Sequence, residues 1–173
     1  MTIESTPGML SDHYDPRTKS LRLSQEVYHT PSLASAGIAA HEAGHALQDA
    51  SHYFPMKLRS YIVPAVQLSS KIAPLLFFGG YFLDLPQVAW VGVALFGTNT
   101  LFTLVTLPVE LDASQRAQNL LLSQHIVDGE EQTAGIKKVL TAAAWTYVAG
   151  AVSAIGSLLY FITILLFRLR RRH

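Results

Sequence analysis

Residues 72–109 read IAPLLFFGGYFLDLPQVAWVGVALFGTNTLFTLVTLPV, 38 residues with one formal charge, Asp84. A run of about 18 apolar residues already suggests a membrane span. As one helix this run would be about 57 Å long at 1.5 Å per residue, nearly twice the hydrocarbon thickness, so it must fold back. Asp84-Leu85-Pro86-Gln87 is the natural turn. The reading is a hairpin of two spans, near Tyr61 to Leu83 and near Gln87 to Leu107. A second apolar run, Val139 to Phe167, holds 29 residues without a charge and contains a third span within Leu140 to Phe167.

Composition agrees. The chain has 173 residues, 50% hydrophobic and 14% charged, with a mean hydropathy of +0.27. A soluble domain carries about 25% charged residues, so charge is too scarce here to coat a globule. The formal net charge of +1 gives no broad basic surface for nucleic acid. With no cysteine, disulfide scaffolds, thiolate metal sites and cysteine nucleophiles are excluded. The basic run Arg168-Leu169-Arg170-Arg171-Arg172 reads as a membrane-edge cap, and the polar start Met1 to Gly8, with neither a basic nor an apolar region, is not expected to act as a cleavable signal peptide.

The expected fold is mainly α and integral to the membrane, with about three transmembrane helices and a short N-terminal β-hairpin or edge strand. It is read as one membrane-embedded unit over 1–173. Its parts are a polar region 1–60, a transmembrane hairpin 61–109, a polar helix over 110–138, and a C-terminal span with basic tail over 139–173. The polar parts hold six of the seven His residues, the seventh being His173. Asp15-Pro16-Arg17-Thr18 is a turn signal, and Ser20-Leu21-Arg22-Leu23-Ser24 alternates as a strand does. Leu33 to Ala50 is rich in helix formers, with Ser32 as its N-cap. Pro64 and Pro74 are expected to interrupt the first span, where Lys71 should snorkel to the surface.

The predicted helix carries His41-Glu42-Ala43-Gly44-His45, an H-E-x-x-H. Two His four apart share one helical face and can share one metal, while the Glu beside them reaches water at it. At this chain's His and Glu frequencies the pattern arises by chance in about 1% of cases. Catalytic zinc takes three protein ligands and leaves a position for water. The long metzincin pattern needs Gly at position 48 and His at position 51, where this chain has Gln48 and Ser51, and His52 misses the register.

Glu110 is the better third ligand. A two-span hairpin returns the chain to the side it left, which brings Glu110 back beside His41 and His45. Pro108 suits the first turn of a new helix there. The bland alternative is a carboxylate at a helix N-terminus, stabilised by the dipole. The rival Asp112 points about 200° away around the helix and should pair with a base, for which Arg116 at i+4 is available.

These residues resemble the bacterial membrane zinc metallopeptidase family, related to the gluzincin-type membrane proteases of the heat-shock and CAAX-processing kind. The resemblance rests on Leu10 to Arg17, Leu21 to Ser24 with Val27-Tyr28, Ala40 to Ala46, and Thr106 to Glu110 with Ala113-Ser114. It continues in Lys137 to Leu140, Ala142 to Ala144 and Thr146 to Ala149, so it covers nearly the whole chain. Such relatives usually carry a further N-terminal membrane helix. Wider gluzincin relatives place Asp four residues after the glutamate ligand, to orient a zinc-bound His, where this chain has Ser114.

The resemblance implies a membrane-bound zinc endopeptidase acting on unfolded or membrane-associated polypeptides, with Zn²⁺ on His41, His45 and Glu110 and Glu42 as general base. Arg116, His125, His13 and Tyr147 are the candidate oxyanion donors. The Leu21 to Ser24 strand either receives substrate by strand addition or is an ordinary packed strand. The expected partners are a polypeptide substrate and the lipid bilayer, without nucleic acid, and the oligomeric state is unknown. The alternative is a catalytically silent zinc-binding accessory or client-binding protein. A transporter would need charges lining the spans, and only Lys71 and Asp84 occur there. Span-flanking bases number five (Lys57, Arg59, Arg116, Lys137, Lys138) against four (Arg168, Arg170, Arg171, Arg172), which decides little. The resemblance places the active site on the cytoplasmic side of the cell membrane.

Overall fold

The computed structural model describes residues 1–170. Arg171 and Arg172 of the expected basic cap, with His173, lie outside the described residues. In chain order the elements are β1 (Thr2–Thr6), β2 (His13–Asp15), β3 (Ser20–Ser24), α1 (Gln25–His29), α2 (Leu33–Ala50), α3 (Phe54–Phe82), α4 (Pro86–Ser123) and α5 (Glu130–Arg170). The protein is mainly α, and α3, α4 and α5 are each long and apolar enough to cross a membrane. Two compact units form. One contains Met1–Lys57 and Pro108–Thr146, the other Leu58–Leu107 and the chain from Tyr147 onward.

In the first unit the sheet order is β1-β3-β2, with β1 parallel and β2 antiparallel to β3. The expected β2–β3 hairpin turns at Asp15, whose Oδ1 accepts from the Arg17 amide at 2.9 Å and whose Oδ2 accepts from the Thr18 hydroxyl at 2.9 Å. β3 is the central strand. Both of its edges are occupied, so it is a packed strand and has no free edge for substrate; Leu21 and Leu23 are buried on one face. Helix α2 starts where its cap predicts, with the Ser32 hydroxyl accepting from the Ser35 amide at 3.0 Å. Its Ala40 joins Ala117, Leu121, Val127, Ile136 and Leu140 in the core of this unit.

In the second unit Phe77, Ala89, Val93 and Leu165 form the core, with Trp90, Phe96, Leu158 and Phe161 packed around them. A β-carbon on Gly80 would meet the Ala89 amide nitrogen at 2.4 Å, and one on Gly92 would meet that of Phe77 at 2.5 Å. The α3–α4 hairpin therefore closes backbone to backbone, as small residues permit between membrane helices. The turn falls at Leu83 to Leu85 with Asp84 at φ 65°, and Pro86 opens α4. Arg168 donates to Asp84 at 2.8 Å and lies 4.2 Å over the Tyr81 ring. Lys71 is exposed.

Three expectations change. Pro108 does not begin a helix: α4 runs through it without a break for 38 residues. A proline inside a helix costs about 3 kcal/mol, and here packing of the following turns, with Val109, Ala113 and Ala117 fully buried, offsets it. Pro64 and Pro74 likewise lie within an unbroken α3. The polar region 110–138 is not one helix but the end of α4, a connection over 124–129 and the start of α5.

Candidate metal centre

Helix α2 presents His41 and His45 one turn apart, with ring centroids 4.8 Å apart and planes at 83°. What lets α4 approach this face is Gly44. A β-carbon there would lie 2.4 Å from the carbonyl oxygen of Ala113. The backbones thus meet between the two His, and Glu110, 2% exposed, is delivered to both. His41 Nε2 lies 3.1 Å and His45 Nε2 3.4 Å from the same oxygen, Glu110 Oε2. The three donor atoms lie within 4.8 Å of one another.

The two Nε2–Oε2 separations, 3.1 and 3.4 Å, fit zinc. A tetrahedral ion with bonds of about 2.0–2.1 Å to N and O places neighbouring ligand atoms about 3.3–3.4 Å apart. A carboxylate buried beside two imidazoles is costly unless paired or bound to a metal. The other nitrogen of each ring is also held. Ser114 Oγ lies 3.2 Å from His41 Nδ1, and Gln48 Oε1 lies 2.9 Å from His45 Nδ1. Both Nε2 atoms therefore face Glu110 while both Nδ1 atoms are engaged behind, the arrangement metal-binding imidazoles need. Ser114 takes the place where the wider relatives have Asp.

Glu42 is oriented from the sheet. The Tyr14 amide of β2 donates to Glu42 Oε2 at 3.0 Å, and the Tyr14 hydroxyl donates to Asp49 Oδ2 at 2.7 Å. One residue thus grips α2 at two points, two turns apart. Lys19 pairs with the same Asp49 oxygen. Burial pushes the Glu42 carboxyl above the usual carboxylate range, with the charges of His45 and His41 opposing. Burial lowers His45, but the Glu110 carboxylate outweighs this and raises it overall. Burial and Asp49 push the Tyr14 phenol up to about 12.

The structure brings His41, Glu42, His45 and Glu110 together. Asp112 is set apart from them: it accepts from Arg116 Nε at 2.6 Å, the expected i+4 pair, and from Gln48 Nε2 at 2.8 Å. Of the suggested oxyanion donors, Arg116 is engaged by Asp112 and by Ser51 and lies 5.6 Å from the Tyr53 ring centroid. His13 is exposed with Nδ1 on the Ser11 carbonyl, and His125 is exposed beside Asp128. Tyr147 belongs to the other unit. His52 lies beyond α2 at φ 55°. Sequence reasoning missed Tyr14 and Gln48 here. For Gln48 the signal was its place three residues after His45, on the same helix face.

An H-E-x-x-H helix crossed by a glutamate-bearing helix, with three apolar helices of spanning length, defines a membrane zinc-peptidase class of protein. The comparison with known families agrees: residues 1–166 match the family described as "Putative neutral zinc metallopeptidase", and the chain belongs to that family. It is similar to "Putative membrane protease YugP" of Bacillus subtilis (strain 168), 43% identical over 164 residues, which is 95% of this chain and 72% of that protein. No solved structure matches.

Proposed function

We propose that this protein is a membrane-bound zinc endopeptidase that hydrolyses peptide bonds of unfolded or membrane-associated polypeptides. The observation that carries the reading is the convergence of His41 Nε2 and His45 Nε2 on Glu110 Oε2 at tetrahedral spacing, with Glu42 one residue from the first ligand. Zinc, when bound, supplies a Lewis acid that polarises the carbonyl and lowers the pKa of water toward about 7. His41, His45 and Glu110 would hold it. Glu42 takes the proton of the attacking water and passes it to the leaving amine.

The test is cleavage of an unfolded protein by the detergent-solubilised, zinc-loaded chain and by Glu42→Gln, with zinc per chain measured on both. Cleavage by the parent alone, with about one zinc in each, supports the reading. Bound zinc without cleavage in either supports a silent zinc-binding accessory or client-binding protein. The reading includes the cell membrane with the site on its cytoplasmic side, on resemblance alone. The chain has no cysteine, so a single cysteine placed at exposed Glu26 reports its side directly. Labelling of intact cells by an impermeant thiol reagent would overturn that orientation.

A further inference from the structure

We infer that Gln48 is a positioning residue for the metal centre, a role that rests on the zinc reading above. Its side-chain amide fixes which nitrogen of His45 is free to bind metal, and fastens the Glu110 turn of α4 to α2. Gln48 has no exposed surface, and every part of its amide is used. Nε2 donates to the Val109 carbonyl at 2.7 Å and to Asp112 Oδ2 at 2.8 Å, and Oε1 lies 2.9 Å from His45 Nδ1.

The orientation of this amide follows from its neighbours. A carbonyl and a carboxylate accept and cannot donate. Arg116 Nε donates to Asp112 Oδ2 at 2.6 Å, which marks that oxygen as an acceptor. Both amide hydrogens must therefore point at Val109 and Asp112, because the flipped amide would set its oxygen against two acceptors. Oε1 is then the atom facing His45, and an oxygen can only accept. So His45 Nδ1 carries a proton, and Nε2, which faces Glu110, is the nitrogen available to a metal. A chain of charge and hydrogen bonding thus runs from Arg116 through Asp112 and Gln48 to His45. The same amide grips the carbonyl of Val109, the residue before Glu110. One side chain sets the tautomer of one ligand and the place of another.

The experiment measures zinc affinity of the full-length, detergent-solubilised chain by competition with a chelator, together with the visible spectrum of the Co²⁺-loaded protein. The chains are the parent, Gln48→Met, Gln48→Glu and the double variant Gln48→Glu/Asp112→Asn. Losing an outer partner of a ligand costs about 10- to 100-fold in metal affinity, and this is expected for Gln48→Met, with a shifted Co²⁺ spectrum. Gln48→Glu keeps the acceptor for His45 but faces Asp112 with a second carboxylate, and should also weaken binding. The double variant removes the facing carboxylates but leaves an acceptor against the Val109 carbonyl, so it should recover only part of the loss. A purely structural Gln48 would lower the unfolding midpoint without moving affinity or spectrum, and that result overturns the inference. Should Gln48→Met not fold, a Gln48→Glu chain with the parent's zinc affinity and Co²⁺ spectrum overturns it equally. A parent that takes up no zinc sinks the zinc reading itself, a different outcome from a parent and Gln48→Met that bind zinc equally.

Discussion

Gly44 and Ala113 meet backbone to backbone: the position of a β-carbon on Gly44 is 2.4 Å from the Ala113 carbonyl oxygen. In an isolated helix Gly44→Ala would be favoured by about 1 kcal/mol. Here the obstructing atom belongs to a helix backbone and cannot rotate away, so sterics win. Gly44→Ala is expected to lower stability by about 1–3 kcal/mol and to reduce zinc content, because α4 and Glu110 must move outward. Thermal unfolding and metal analysis of the purified variant check both. A variant as stable as the parent would show that the crossing can relax.

The Tyr14 amide faces away from β3 toward Glu42, so proline at this edge position deletes that contact without breaking a ladder bond. Tyr14→Ala and Tyr14→Pro both lose the ring, and only the second loses the N–H. A hydrogen bond to a charged group is worth about 1.5–3 kcal/mol, so the proline variant should be about ten- to hundredfold slower than the alanine one. Zinc content should be equal in the two. Comparing kcat of the pair isolates the amide.

The phenol of Tyr14 has a sharper signature in pH. Its folded pKa of about 12 exceeds the ordinary phenol value of about 10, so the folded state keeps a proton that the unfolded chain gives up. The stabilisation is complete below pH about 10 and is lost as pH rises toward about 12. Parent and Tyr14→Phe should therefore differ in unfolding midpoint at neutral pH and converge over that interval. A gap that stays constant would mean that the bond to Asp49 does not form.

Stripping zinc should leave α2 and α4 joined, since Gly44 packing and the Gln48 bonds involve no metal. The unfolding midpoint should fall and should then rise with added zinc as binding to the folded state requires. Glu110→Gln should make that midpoint insensitive to zinc. Calorimetry over a zinc series separates the two chains.

Much of this was legible in the sequence, and the reasons differ by element. Ser32 and the Ala-rich run after it define α2 because a cap and helix formers act within a few residues of themselves. Glu110 was reachable through connectivity, since a hairpin of two spans has to bring its ends together. Pro108 misled because proline speaks only for its own turn, whereas the burial that offsets it comes from Val109, Ala113 and Ala117 in the turns that follow on the same helix. β1 was missed since its five residues, Thr2 to Thr6, are mostly exposed and show no alternation. α1 is only five residues long and buries none of them. Gln48 and Tyr14 look like ordinary polar residues until β2 and α4 close around α2.

An H-E-x-x-H is usually treated as three fixed letters and two free ones. In this chain the second free letter is spoken for by the Ala113 carbonyl, and the position three past the last His by an amide with no unused atom. The information that defines this centre therefore spreads over H-E-x-G-H-x-x-Q. Chains sharing that longer string should share the helix crossing, and those with a bulkier residue in the glycine's place should hold their third ligand on a helix that passes farther off.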